Sequence, residues 1–156
     1  FKYANILVDK YPENNFQRGG DIVIPEGKTF IQADIENLPF KDKEIDFIYC
    51  KNTLEHVENP AKACEELIRV AKRGYIETPT YIWELLFGRP KKHKWIVSVY
   101  NDDTLVFIPN TFSSPFGNFF DHLYASNNEF AKLFWDNYYI FIHCFYFEDD
   151  FLFCVI

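Results

Sequence analysis

The sequence predicts an α/β fold: a mainly parallel sheet with crossover connections, closed by a C-terminal antiparallel hairpin. Three observations carry this reading. Short apolar runs recur through the first half, each ending in or just before a polar residue: Asp9, Asp34, Lys51 and Glu77. One amphipathic helix with clear start and stop signals separates the last two. Ile45–Cys50 is nearly continuous in apolar residues, as expected of a strand buried on both faces of a parallel sheet. Strand, connection, strand, connection, strand, helix, strand is the order of an α/β unit, and such sheets bind ligands beyond the carboxyl ends of their strands.

In chain order, Ala4–Val8 is the first strand and ends at Asp9; the polar, Gly-containing stretch 13–20 reads as loop. Thr29–Ala33 is a second β-prone run and Ile45–Cys50 a third. Pro60–Arg73 is the helix: Asn59 caps it, Pro60 suits its first position, and Gly74 closes it. Pro60, Cys64, Leu67, Ile68 and Ala71 follow the helical period, Glu65 and Arg69 are placed to pair, and Lys72 and Arg73 complement the C-terminal dipole. Tyr75–Glu77 is the next strand, stopped by Pro79. Tyr81–Phe87 is a short amphipathic piece. Arg89–Lys94 is a basic run, which suits either a solvated loop or a grip on an anionic acceptor. Trp95–Tyr100 and Leu105–Ile108 flank Asn101-Asp102-Asp103 as a hairpin. Residues 109–120 read as an apolar loop and Asn127–Trp135 as a helix; Tyr138–Phe147 and Phe151–Ile156 form the terminal hairpin around Glu148-Asp149-Asp150.

The chain of 156 residues, 48% hydrophobic and 25% charged, suits one globular domain, 1–156, with 1–80, 81–135 and 136–156 as differently used parts. A net charge of −7 argues against general nucleic-acid binding, which needs a basic face. No apolar stretch approaches the ~20 residues of a membrane-spanning helix. Cys50, Cys64, Cys144 and Cys154 sit singly in apolar segments without metal-binding spacing, so buried free thiols in a reducing cytoplasm are expected and no metal site is. Of the 31 aromatic residues, 22 lie after residue 80; they can complete a core through the terminal hairpin, and Phe112, Phe116, Phe119, Phe120 and Tyr124 can form an acceptor pocket or interface.

Two pieces are specific in combination: Ala33-Asp34-Ile35-Glu36-Asn37-Leu38-Pro39-Phe40, and Leu54-Glu55-His56-Val57-Glu58-Asn59-Pro60, with Ile45–Cys50 between them. At this spacing the segment 4–80 resembles the type 11 group of class I S-adenosylmethionine-dependent methyltransferases. The resemblance implies a Rossmann-like sheet and S-adenosylmethionine as cofactor. Asp9 would accept hydrogen bonds from the ribose hydroxyls and Asp34 from the adenine amine, with Ile35 against the ring and Lys51 and Asn52 along the methionine end. An acceptor-only carboxylate suits those hydroxyl and amine donors. Each position also has a plainer reading, as a polar strand end or a turn cap.

His56 can orient or deprotonate an acceptor hydroxyl, or pack ahead of the Asn59-Pro60 cap. Glu77 would face the same crevice and bind or activate an acceptor. Methyl transfer is a displacement at an activated sulfonium, so alignment can supply most of the catalysis. The expected reaction is methyl transfer to a small-molecule or glycan-like acceptor chosen by 81–135. A nicotinamide-dependent oxidoreductase also places an acid after its second strand, but the two motifs favour the methyltransferase. The family's Gly-rich loop and first strand belong ahead of Ala4 and are absent from these residues, and Gly19-Gly20 follows Asp9. The chain starts at Phe1 and has no Met. The expectation is therefore a preceding segment that supplies the central strand, or a degenerate, non-catalytic relative that serves as a binding module.

Overall fold

The structure is a computed structural model and describes residues 3–14, 21–88 and 92–156. Gly19-Gly20, most of the predicted 13–20 loop and Arg89–Lys91 of the basic run lie outside the described residues.

The chain forms a mixed α/β structure with parallel and antiparallel strands in three sheets. β1 (Ile6–Asp9) and β2 (Thr29–Gln32) pair in parallel, Asp9 opposite Gln32. β3 (Ile48–Lys51) pairs in parallel with β4 (Arg73–Pro79), Lys51 opposite Glu77. Between β3 and β4 run a single 3-10 turn, Leu54–His56, and helix α1, Pro60–Val70. Helix α2 (Tyr81–Phe87) follows β4, capped by the Thr80 hydroxyl. β5 (Trp95–Tyr100) and β6 (Thr104–Pro109) form the expected hairpin, with Asn101 and Asp102 in the left-handed region its tight turn requires. Helices α3 (Phe119–Ser126), α4 (Asn128–Asp136) and α5 (Tyr138–Phe141) lead into β7 (Ile142–Glu148) and β8 (Leu152–Val155).

β1 and β3 lie in different sheets and do not pair. Residues 3–11 and 44–50 instead face a common cavity of about 780 Å³. The terminal hairpin is also corrected. β7 pairs antiparallel with β4 along seven residues, whereas β8 lies parallel to β6. β4 offers β7 seven pairs, where a local hairpin with the four-residue β8 could give no more than four. Asp149, in the left-handed region, redirects the chain from one sheet to the other. Residues 138–141, expected as strand, are the one turn of α5.

α1 ends at Ala71, whose N–H returns to Leu67, and not at Gly74. Gly74 lies inside β4, where a Cβ would meet the Phe147 ring at 2.5 Å and Ile48 at 2.6 Å. The end of α1 is satisfied by Lys43, whose ammonium donates to the carbonyls of Ile68 and Ala71; Lys72 reaches Asp46 instead. Arg69 pairs with Glu66 and not with Glu65, because it must also reach the loop beneath the helix. Ala63, Cys64, Leu67 and Val70 bury the apolar face of α1 against Leu38, Cys50, Ile76, Phe145 and Phe147. A fully buried Leu67 contributes about 1.5–3 kcal/mol. Cys50 and Cys64 are buried free thiols as expected; Cys144 and Cys154 are free but exposed, each on the outward face of its strand.

Candidate functional site

The cavity between β1 and β3 runs along both strands, from residues 3 and 44 to the turns that follow them. Asp9, Asp34, Ile35, Asn52 and His56 all line it, so five sequence-predicted site residues from four chain segments meet at one place. Asp9 ends β1, and its Oδ1 accepts the Tyr11 N–H at 2.7 Å. Asp34 follows β2; Oδ1 accepts the Glu36 N–H at 3.0 Å and Oδ2 meets the Lys10 ammonium at 2.5 Å. Burial alone would raise the Asp34 carboxyl, but Lys10 and the Glu36 N–H outweigh it and hold it below the usual carboxylate range. Asn52 takes a left-handed backbone conformation and donates its N–H to the Glu77 carbonyl at 2.9 Å, which turns the chain away from β3.

Lys51 and Glu77 fall outside that wall. They pair with each other at 3.0 Å, and the Glu77 carboxylate also accepts the hydroxyls of Tyr49 at 2.8 Å and Tyr138 at 2.7 Å. Burial pushes Glu77 up, yet these three donors outweigh it and keep the group below its ordinary value, hence ionised at neutral pH. Phe116 and Phe119 each meet the Phe120 ring edge-on, and Phe120 also meets Phe87 and Phe130. Phe112 lies on Tyr81, and Tyr124 lies on Phe134. The predicted aromatic acceptor loop thus packs onto α2 and α4, away from the cavity.

The two sequence motifs are held together by side chains that pattern reasoning passed over. Glu36 Oε1 accepts the N–H groups of Glu58 at 2.7 Å and Asn59 at 3.0 Å, tying the 34–40 loop to the start of α1. Glu66 grips Arg69 with both oxygens, at 2.6 and 2.8 Å, and accepts the Leu38 N–H at 2.7 Å. Arg69 in turn donates to the carbonyls of Leu38 and Phe40. An acid three residues before an Arg was the available signal.

His56 is mostly buried. Its Nδ1 lies 2.9 Å from the Lys92 carbonyl, an acceptor, so Nδ1 is the donor. Burial, with His93 alongside, pushes its pKa down to about 4. The preceding Glu55, 1% exposed, is pushed up to about 8 by burial. The segment 92–95 is fastened to this turn: the Lys94 N–H donates to the Glu55 carbonyl at 2.7 Å, the Lys94 ammonium pairs with Glu58, and the Trp95 indole donates to the Val57 carbonyl at 2.9 Å.

Comparison with known proteins agrees with the motif positions. The sequence model of the family described as a methyltransferase domain matches residues 9–76. An uncharacterized protein of Methanocaldococcus jannaschii is 45% identical over 58 residues, which is 37% of this chain and 24% of that protein. Uncharacterized methyltransferases of Mycobacterium leprae and Mycobacterium avium are 34% and 33% identical over 70 residues, 44% of this chain and 26% and 28% of theirs. The chain spans about a quarter of the length of these relatives. Over residues 9–76, the chain is similar to the methyltransferase domain family and to these methyltransferases, in the same stretch that carries the two motifs.

Proposed function

We propose that the protein transfers a methyl group from S-adenosylmethionine to a small-molecule or glycan-like acceptor, working as a single domain in the cytoplasm. The observation that carries this reading is the convergence of Asp9, Asp34, Ile35 and Asn52 on one cavity of about 780 Å³, within the size range of small-ligand sites. Four free cysteines are consistent with a reducing compartment. Among the described residues no helix is long and apolar enough to cross a membrane.

The donor set fits the cofactor. Asp9 offers a carboxylate to paired hydroxyls, Asp34 an acceptor for an exocyclic amine, and Ile35 an apolar face for a ring. The main chain of Asn52, in the same wall, serves a zwitterionic tail. S-adenosylmethionine supplies an already activated methyl group, so the chain's task is alignment and exclusion of water. Lys10 fixes the rotamer of Asp34 through their ion pair. Glu77, ionised and saturated by three donors, acts as a positioning residue that holds Lys51 at the end of β3. His56 stands in the same wall, with its Nδ1–H given to the Lys92 carbonyl. Lys94, from the 81–135 segment, shares the cavity wall and gives the acceptor side a cation.

The test is methyl-tritiated S-adenosylmethionine incubated with the intact protein and a panel of hydroxyl-, amine- and glycan-bearing small molecules. The reading expects label in at least one acceptor class and its loss in Asp9→Ala. Cofactor binding with no acceptor labelled would overturn catalysis in favour of a binding module.

A further inference from the structure

Behind the cavity wall lies a buried cluster that methyl transfer does not require. Glu55, His56 and His93 each present a donor atom within 4.8 Å of the others. Glu55 and His93 are 1% and 5% exposed. Neither Glu55 carboxylate oxygen has a hydrogen-bond partner among the described residues, although a buried carboxylate ordinarily requires pairing or a metal.

The two imidazoles are already oriented. His56 gives its Nδ1–H to the Lys92 carbonyl, so in the neutral ring Nε2 carries the lone pair, and that nitrogen faces Glu55 Oε1 at 3.9 Å. With Glu55 ionised, as a bound cation would hold it, two acceptors face each other at a separation too long for a hydrogen bond and leave room for that cation. His93 is held in the same way, its Nδ1 against Glu84 Oε1. The other Glu84 oxygen accepts from Asn110 at 3.2 Å, so both of its oxygens are engaged. Carboxylate and carbonyl partners on the far ring nitrogens are the outer contacts that metal-binding histidines use. Trp83 stacks on His93 at 5.0 Å and closes one side.

We propose that Glu55, His56 and His93 bind one divalent transition ion, with Zn²⁺ the best match, Glu84 and the Lys92 carbonyl orienting the two imidazoles. Two imidazoles and a carboxylate are a zinc donor set, and bonds of about 2.0–2.2 Å would draw the donors together by roughly 1 Å. Glu55 and His56 belong to the motif turn and His93 to the segment after α2. The ion therefore fastens the 81–135 segment to the cofactor half of the site.

Metal content of the intact protein as purified, followed by chelation and titration with Co²⁺ and then Zn²⁺, tests this. The expected result is one equivalent of Co²⁺ with the intense visible absorption of a low-coordinate site, displaced by Zn²⁺. Glu55→Gln and His93→Gln, checked for folding by circular dichroism, should each weaken binding at least ~100-fold, and Glu84→Gln roughly 10–100-fold. His122→Gln, on an exposed helix position, should leave binding unchanged. A folded wild-type protein that shows no saturable Co²⁺ spectrum overturns the proposal, whatever the variants do. So does binding that survives both Glu55→Gln and His93→Gln. Neither readout depends on methyl transfer.

Discussion

Glu66→Ala, set beside Glu65→Ala, tests how the 34–40 loop is held. Helical spacing offers Glu65 as the partner of Arg69, but the structure uses Glu66, which makes the two-oxygen grip on Arg69 and accepts the Leu38 N–H. Leu38 is buried, so its N–H would lose its partner where water reaches poorly; such a group costs about 1–3 kcal/mol. The fork to Arg69 is one-third exposed on the Arg side and adds little after screening. The expected loss is about 1–3 kcal/mol for Glu66→Ala, against under about 0.5 kcal/mol for the exposed Glu65. Urea unfolding at pH 7 reads this directly, and thermal melts should fall by roughly 2–4 °C per kcal/mol. Arg69 holds the Glu66 carboxyl below its ordinary range. This contribution is therefore complete above the unfolded-state pKa and is lost as pH falls through the lower folded value. Equal losses for the two variants, or a Glu66→Ala loss under about 0.5 kcal/mol, would refute the reasoning.

Gly74→Ala should destabilise by about 1–3 kcal/mol through overpacking against Phe147 and Ile48, and unchanged urea unfolding would contradict that. Tyr138→Phe removes one of three donors to Glu77 and should cost about 1–2 kcal/mol. Because Glu77 is held below its usual value, stability from it is lost as pH falls through the folded pKa, and the variant's stability should fall less steeply on the acid side. Ellman's reagent should titrate Cys144 and Cys154 in the native protein but reach Cys50 and Cys64 only in denaturant, since both are buried and burial pushes Cys50 up to about 12; four fast thiols would refute the packing.

The elements that sequence reasoning placed correctly are those whose signals are local. Asn59 and Pro60 mark the start of α1, Asn101-Asp102-Asp103 marks a hairpin, and the Asp34 and His56 motifs bring their neighbours to one cavity. What escaped it depends on partners far along the chain. Apolar runs on either side of 148–150 look like a hairpin, and nothing local says that β7 will take the edge of β4 while β8 takes that of β6. Lys43 caps a helix that begins 17 residues later, a contact without a spacing rule. His93, between Lys92 and Lys94, reads as part of a solvated basic loop, whereas the chain turns that one side chain inward onto Glu84 and Trp83. Glu55 reads as one more charge in a motif, and only its burial exposes the missing partner.

The central claim is that the cavity between β1 and β3 is the bed of the cofactor. Isothermal titration of the intact protein with S-adenosylmethionine and S-adenosylhomocysteine tests it most directly. The account predicts one-site binding of both, weakened at least ~10-fold in Asp9→Ala and again in Asp34→Ala, as loss of a hydrogen bond to a charged group implies. No binding to the intact protein, or wild-type affinity in both variants, would contradict it.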